Sequence, residues 1–329
     1  MHKKSTQIIE IIKEFHILIF NMKQLIFNFT TILLFIFMLI FPETVFSGAC
    51  TGLLLWFHTI LPTLLPFLIL SSLLLNTTAI DMLSHITSPL FCKLFHVSHY
   101  GSFAILCGFL CGYPIGSKIT SDLFISGRIS KKEAEYLLSF CNNTSPMFIM
   151  SYIIYQTFHS DKLLIPTLFI LFLSPILCSF IFRHYYSPDI VTTVDYVHNT
   201  ETKSKKNLID SCIMNSFETI TKIGGYIIIF SIFIKLLSIL PDKYSIIQIF
   251  LLSSLEITNG ISMLANLKIS YDLIYVSILA LTSFGGWCSI AQTKSIIGDT
   301  ELSLSHYIIE KLVTALVTSL LAIIFIQYY

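Results

Sequence analysis

The polar chemistry of this sequence lies in stretches that interrupt apolar runs. The first spans Cys107 to Phe148 and reads CGFLCGYPIGSKITSDLFISGRISKKEAEYLLSFCNNTSPMF. Pro114 removes one backbone N–H and clashes with the preceding turn, so it predicts a break in a helix. Inside a bilayer, the freed backbone groups must bond to protein or face a wet cavity. The stretch therefore predicts a site built on broken helices. An ordinary loop between two spans is the alternative.

The second half of the chain carries a buried acid and a glycine pair. Glu256 lies in an apolar run, and the segment SFGGWCSIAQT follows from Ser283. A charged side chain at such depth costs roughly 2.5–3.5 kcal/mol on insertion scales, so it is usually paired or functional. We predict that Glu256 is a coupling or gating carboxylate with Lys118 as its counter-charge. The alternative is that Glu256 reaches the membrane interface.

The candidate residues share short polar side chains or backbone freedom at these interruptions. The candidate ligand-binding or gating residues are Tyr113, Pro114, Gly116, Ser117, Lys118, Asn142, Asn143, Ser145, Pro146, Glu256, Asn259, Gly260, Gly285, Gly286, Ser289 and Gln292. Most are neutral donors and acceptors, which favours a neutral polar ligand. Gly108 and Gly112 repeat every fourth residue with Ala104 and Gly116. On one helix they would form a stripe that lets a neighbouring backbone approach closely.

Motifs for catalysis and metal binding are missing from the sequence. It has no GxSxG, HExxH, Walker loop or CxxC, and the His96–His99 pair is too weak a metal motif. We therefore expect no enzyme activity, no metal and no cofactor. Ser130 to Glu133 forms a capping box that begins a helix, and Glu133 is expected to be solvated there. Without a basic, aromatic-rich patch, no nucleic-acid partner is expected.

Composition sets the fold class. Of 329 residues, 54% are hydrophobic and only 12% are charged, and several apolar runs are long enough to cross a bilayer. The sequence predicts an all-α polytopic membrane protein with about eight or nine transmembrane or re-entrant helices, broken near the midplane. Lipid is therefore a certain partner. The eight cysteines are scattered through apolar segments, and we expect Cys107 and Cys111, which share a helix face, to act as small packing residues.

The helices are expected to form two internal repeats. At an offset of 144 residues, Gly112 aligns with Glu256 and Gly116 with Gly260. Paired interruptions in two halves are typical of a transporter binding site, although chance similarity between Ile- and Leu-rich helices is the alternative. The predicted units are an amphipathic cytoplasmic segment (1–24), a first repeat (25–182), a hydrophilic linker (183–208) and a second repeat (209–329).

The orientation of the two repeats stays open. Lysine and arginine cluster in the turn after Gly116 but not after Gly260, which favours an inverted repeat. Counting every apolar run as a full crossing places both turns on the same side. One segment must then be re-entrant or interfacial.

Five motifs together resemble one known family. GYPIGSKITSDL, ISKKEAEYLLSF, CNNTSPMF, SSLEITNG and FGGWCSIAQT are similar to the YlbJ-type sporulation integral membrane proteins, which belong with proteins carrying the nucleoside-recognition (Gate) domain. The resemblance covers most of the chain from about Gly48. It implies a multi-pass protein of the bacterial cell membrane that acts in sporulation and spore cortex formation. It also implies similarity to nucleoside carriers, without naming a substrate.

Two functions follow from these observations. The first is a transporter or permease-like protein whose broken helices bind an unknown small polar solute. The second is a non-transporting scaffold or assembly factor for the spore envelope, in which the same polar groups only satisfy each other. A homo-oligomer is a further hypothesis about partners.

Overall fold

The computed structural model describes residues 22, 24–26, 28–188, 207–239, 245–298 and 300–328. Every regular element within these ranges is helical, as the composition predicts. Most of the predicted N-terminal segment and most of the predicted linker lie outside the described residues. The first described helix, α1, is apolar and comprises Gln24–Ile40. Helices α2 (Pro42–Leu55) and α3 (Leu61–Leu75) are joined by a π-helical turn at Trp56–Ile60.

Several of the remaining helices are short, and breaks of a few residues separate them. They are α4 (Ala79–Phe95), α5 (His99–Cys111), α6 (Ile115–Ile125), α7 (Lys131–Cys141), α8 (Pro146–Phe148), which continues as a π-helix at Ile149–Phe158, α9 (Leu164–Tyr186), α10 (Leu208–Leu237), α11 (Ser245–Ser253), α12 (Ile257–Ala265), α13 (Tyr271–Phe284), α14 (Gly286–Ile297) and α15 (Leu304–Tyr328). Helix α9 therefore runs four residues past the predicted end of the first repeat.

Five helical segments are long and apolar enough to cross a membrane. They are Pro42–Leu75, Asp161–Tyr186, Leu208–Leu237, Tyr271–Ile297 and Leu304–Tyr328, and a sixth arises if α4 and α5, bent by 91°, form one broken span. Their outward faces carry exposed aliphatic and aromatic side chains such as Phe46, Leu70 and Ile165. The protein is a multi-pass membrane protein. The predicted total of eight or nine transmembrane or re-entrant helices stays a prediction.

Small residues let the longest helices pack closely. Gly48 and Gly52 lie one turn apart on α2, and a Cβ at either would lie 2.8 or 2.7 Å from the Cα of Ile232 or Ile228 on α10. Close backbone approach of this kind is how helices associate in lipid, where apolar burial gives little driving force. The indole Nε1 of Trp56 donates a hydrogen bond of 2.9 Å to the carbonyl of Ile220. Together these contacts fix α2 and the π-turn against α10.

The predicted glycine stripe does not lie on one helix, and that part of the prediction is wrong. Helix α5 ends at Cys111, because Gly112 adopts a φ of +86° and the chain turns there. The close approach itself is present. A Cβ at Gly108 would lie 1.9 Å from the carbonyl oxygen of Cys141, and one at Gly116 would lie 2.2 Å from the same oxygen. Glycines on both sides of the break therefore seat the end of α7.

Glu133 is buried, which corrects its predicted solvation. Ser130 caps α7 as expected, since its hydroxyl accepts the amide of Glu133 at 3.1 Å. The carboxylate of Glu133 instead accepts the amide of Ser98 at 2.6 Å, at the start of α5. Burial raises the pKa of this carboxyl, and the hydrogen bonds from Ser98 oppose that shift. Glu133 therefore joins the starts of α5 and α7 rather than facing water.

Candidate functional site

The four helix breaks meet around one cavity. They are the α5–α6 break, the α7–α8 break, the α11–α12 break and the α13–α14 break, and the cavity between them has a volume of about 70 Å³. Helices α3 and α10 close its remaining side. The lining residues are Ile60, Thr63, Leu64, Gly112, Tyr113, Thr144, Ser145, Phe148, Ile223, Ile227, Glu256, Ile257, Thr258, Gly285, Cys288, Ser289 and Gln292. Segments far apart in sequence thus build one site.

The α5–α6 break contributes Tyr113 to the cavity wall. This residue precedes Pro114 in a cis peptide bond. The Tyr113 hydroxyl donates to the carbonyl of Thr282 on α13 at 2.6 Å, and the hydroxyl of Thr144 lies 2.7 Å from it. Tyr113 therefore links the first break to the second break and to the end of α13.

The α7–α8 break is organised by Asn142, which is buried behind the cavity wall. Its side-chain oxygen accepts the amide of Ser117 at 3.3 Å. Its side-chain nitrogen donates to Thr293 Oγ1 at 3.1 Å and to Tyr307 Oη at 2.8 Å. Because these partners lie on α6, α14 and α15, one amide holds three helices at the break.

A buried lysine supports the same break, and the sequence reasoning missed it. Lys311 of α15 is 1% exposed. Its Nζ donates to the carbonyl of Asn142 at 2.8 Å and lies 3.4 Å from Asn143 Oδ1. It also lies 5.7 Å from the centre of the Tyr113 ring. The sequence did contain a signal for this residue. Glu310 and Lys311 are charged residues within a long apolar run, which is the same pattern that singled out Glu256.

The α11–α12 break is capped by Glu256 itself. The carboxylate accepts the amide of Thr258 at 3.0 Å and the amide of Asn259 at 2.9 Å. It also accepts the side-chain amide of Asn259 at 2.8 Å. A side-chain acceptor at this position satisfies the first free amides of a helix, and a negative charge there suits the helix dipole. Glu256 is 3% exposed and lines the cavity, so its carboxylate does not extend to the outer surface of the protein.

The α13–α14 break turns at two consecutive glycines. Gly285 and Gly286 have φ values of +87° and +80°, which a residue with a side chain rarely adopts. The turn aims the first amides of α14 at the preceding break. Trp287 N donates to the carbonyl of Ser254, and Cys288 N donates to the carbonyl of Leu255, both at 2.8 Å. The third and fourth breaks therefore satisfy each other through their backbones.

The predicted pairing of Lys118 with Glu256 is wrong. Lys118 forms an ion pair with Asp122 one turn further along α6, and both side chains are 31% exposed. Lys118 lines a second, larger space of about 780 Å³, together with Arg128 and Lys222. Gln292 lines both spaces. The pairing fails because α6 carries Lys118 away from the break, whereas Glu256 has donors within its own turn.

The predicted site residues divide into three groups. Six line the central cavity: Tyr113, Ser145, Glu256, Gly285, Ser289 and Gln292. Lys118 lines the larger space. The others support the breaks from behind and are Pro114, Gly116, Ser117, Asn142, Asn143, Pro146, Asn259, Gly260 and Gly286. Sequence reasoning missed Thr63, Ile223 and Ile227, which are ordinary helical residues until the fold places them there.

Fold and site together define a helical, multi-pass membrane protein with a central cavity at four broken helices. The model of the Gate family, described as nucleoside recognition, matches residues 57–221. Because the match spans half of the chain, this protein belongs to the Gate family.

One relative is similar over most of the chain. It is the sporulation integral membrane protein YlbJ of Bacillus subtilis (strain 168), which is 27% identical over 305 residues. The alignment covers 82% of this chain and 75% of that protein. No solved structure matches the chain.

Proposed function

We propose that this protein is a secondary transporter or permease-like carrier of a small, uncharged polar solute. The observation that carries the proposal is the central cavity, where four broken helices meet inside a membrane protein. Broken helices that expose backbone groups to a shared cavity are typical of secondary transporters. The role is binding and passage rather than catalysis.

The lining of the cavity favours a neutral solute. Hydroxyl and amide groups from Thr63, Tyr113, Ser145 and Gln292 stand beside apolar side chains. Free helix N-termini would favour an anion, but here the chain supplies its own acceptors. Ser145 Oγ accepts the amide of Phe148, and Glu256 occupies the start of α12. A solute with hydroxyl or amide groups and one apolar face suits this surface.

Two internal repeats fit this carrier, and we propose them as the source of its four breaks. Helices α5 to α8 and helices α11 to α14 each supply two of the breaks, and α9 and α15 follow as long apolar helices. Thr318 of α15 donates to Ser174 of α9 at 2.8 Å. The two residues are 144 positions apart, which is the same offset at which the two halves of the sequence align. Two structurally equivalent hairpins around one cavity would alternate access to either side. The inverted orientation is part of this proposal.

The relative suggests when the carrier works. The printed name of the Bacillus subtilis relative describes an integral membrane protein of sporulation. We propose the same process for this chain, in the cell membrane of a spore-forming bacterium, with a solute needed for the spore cortex. Glu256 is the proposed gating residue, because it joins the cavity wall to the start of α12.

A scaffold without transport is the second candidate, and one observation favours it. Asn142, Tyr113 and Glu256 each bond to other groups of the protein. Polar groups that satisfy each other would suffice to hold a rigid membrane scaffold. A scaffold does not require an open cavity, however, and this difference allows a direct test.

The test is solute binding to the full-length protein in lipid nanodiscs. A panel of nucleosides, sugars and cortex precursors would be measured by thermal shift and by equilibrium binding. We expect one chemical class to bind, and Ser289→Leu to weaken its binding at least tenfold by filling the cavity. Ser151→Leu is the matched control, because Ser151 is exposed on the π-helix after α8. Binding by no member of the panel would favour the scaffold, whereas equal binding by both variants would place the solute outside this cavity and contradict the proposed site.

A further inference from the structure

The ammonium of Lys311 occupies the kind of position that cations take in transporters. Loose carbonyls and the C-terminal ends of half-helices are where such proteins coordinate Na⁺ or protons. Helix α7 ends at Cys141, and the carbonyl of Asn142 just beyond it accepts Lys311 Nζ at 2.8 Å. Asn143 Oδ1 is the second oxygen, at 3.4 Å. The negative end of the α7 dipole faces the same charge.

Lys311 has no carboxylate partner close enough to explain its burial. Among the residues that the structure describes, no carboxylate oxygen lies within 4.0 Å of its Nζ. Glu310 is adjacent in sequence, but its carboxylate accepts the hydroxyl of Tyr186. A buried charge without a salt bridge is costly unless dipoles and hydrogen bonds compensate it. The compensation comes from carbonyl and amide oxygens and from the face of Tyr113, which are the groups that bind a monovalent cation.

We propose that the Lys311 ammonium fills the cation site of this carrier, so that the coupling ion is a proton bound at Nζ. This inference rests on the proposed transport function but makes its own claim about the α7–α8 break. With the proton bound, Nζ holds the Asn142 carbonyl and the Asn143 amide. Release of the proton removes the charge that draws these oxygens together. The break and the cavity wall at Tyr113 then loosen.

Other titratable groups lie around Lys311 and its neighbour Glu310, and they could also respond to pH. On α15 they are Tyr307 and Glu310, on α9 Cys178 and Tyr186, on α7 Glu135, and at the α5–α6 break Tyr113. Of these, only Tyr113 joins Lys311 to the cavity wall. A test must therefore change Lys311 in a way that separates its charge from its ability to lose a proton.

The first test removes the Lys311 side chain and so leaves the proposed cation site without its ammonium. Wild type, Lys311→Ala and Lys222→Ala, each full-length in nanodiscs, would be melted in sodium chloride, ethylammonium chloride or N-methyl-D-glucamine chloride at equal ionic strength. We expect Lys311→Ala to lose thermal stability in the bulky cation and to regain part of it with sodium or ethylammonium. Wild type and Lys222→Ala, whose lysine is exposed, should not distinguish the three salts. Equal salt responses in all three proteins would overturn the cation site.

The second test keeps the positive charge and prevents release of the proton. It also keeps the proposal testable if the Lys311→Ala protein does not fold. Lys311→Arg retains a cation that stays protonated at every accessible pH. If the folded protein releases this proton at a pH where the lysine of the unfolded chain keeps it, the Tm of wild type should rise with pH, whereas that of Lys311→Arg should stay level. The same pH profile in both proteins would overturn the proton as the bound ion. Neither test needs a solute, so failure to find a solute contradicts the proposed function alone.

Discussion

The two pairs of breaks that line the cavity are held in different ways. The breaks of α5–α6 and α7–α8 depend on distant partners, because Asn142 bonds to Thr293 and Tyr307, which follow it by 151 and 165 residues. The breaks of α11–α12 and α13–α14 satisfy each other locally, through Glu256 and the amides of α14. The first pair therefore depends in part on contacts with α14 and α15. The second pair can form as a unit of adjacent segments.

This difference suggests how the cavity could open. A wall held by side chains from other helices can change when one of those side chains changes, as Lys311 does in our proposal. A wall held by its own backbone moves as a rigid piece. We therefore expect the α7–α8 break to change its internal contacts, and the α11–α12 break, which carries the proposed gating residue Glu256, to move as one rigid piece.

The largest effect is expected at the contact that seats α7 beside the first break. Gly108→Ala would place a Cβ 1.9 Å from the Cys141 carbonyl, and neither backbone can yield cheaply. We expect a loss of about 3 kcal/mol or more of the free energy of unfolding, or no folded protein in membranes. Chemical unfolding in detergent measures this loss. Gly225→Ala is the control, because no atom lies within 4 Å of its Cβ position and α10 should gain up to about 1 kcal/mol. Unchanged stability of Gly108→Ala would contradict close packing here.

A smaller effect is expected when the distant partners of the first pair are removed. Asn142→Ala leaves the buried amide of Ser117 without its acceptor, so we expect a loss of about 2–3 kcal/mol. Tyr307→Phe removes one hydrogen bond and should cost about 1 kcal/mol. Because the two residues share that bond, the double variant should lose less than the sum of the single losses. Strict additivity in the same unfolding assay would show that the bond between Asn142 and Tyr307 does not hold the break.

The smallest effect is expected at the locally held break. Glu256→Asp keeps a strong N-cap for α12, so the free energy of unfolding should change by about 1 kcal/mol or less. The matched change Glu256→Ala removes the cap and should cost more. If Glu256→Asp destabilised the protein as much as Asn142→Ala does, the contrast between the two pairs of breaks would be wrong.

Much of this architecture could be predicted from the sequence. The apolar runs require membrane helices, since their backbone groups can be satisfied in lipid only within a helix. Pro114 and the glycine pair at Gly285 mark breaks because of backbone geometry, and both breaks are present. Of the residues predicted for the site, Tyr113, Ser145, Glu256, Gly285, Ser289 and Gln292 line one cavity. Local chemistry alone was enough to find them.

The tertiary structure decided which groups meet. Lys118 and Glu256 looked like a pair because each follows a break, but a local partner, Asp122, is always within reach of Lys118 one turn away. Glu133 looked solvated because its neighbours are charged, yet the fold brings the amide of Ser98 to its carboxylate. Lys311 acquires its role only when α15 packs beside the end of α7. Sequence determines the cost of breaking a helix or burying a charge, but only packing decides which distant group compensates that cost.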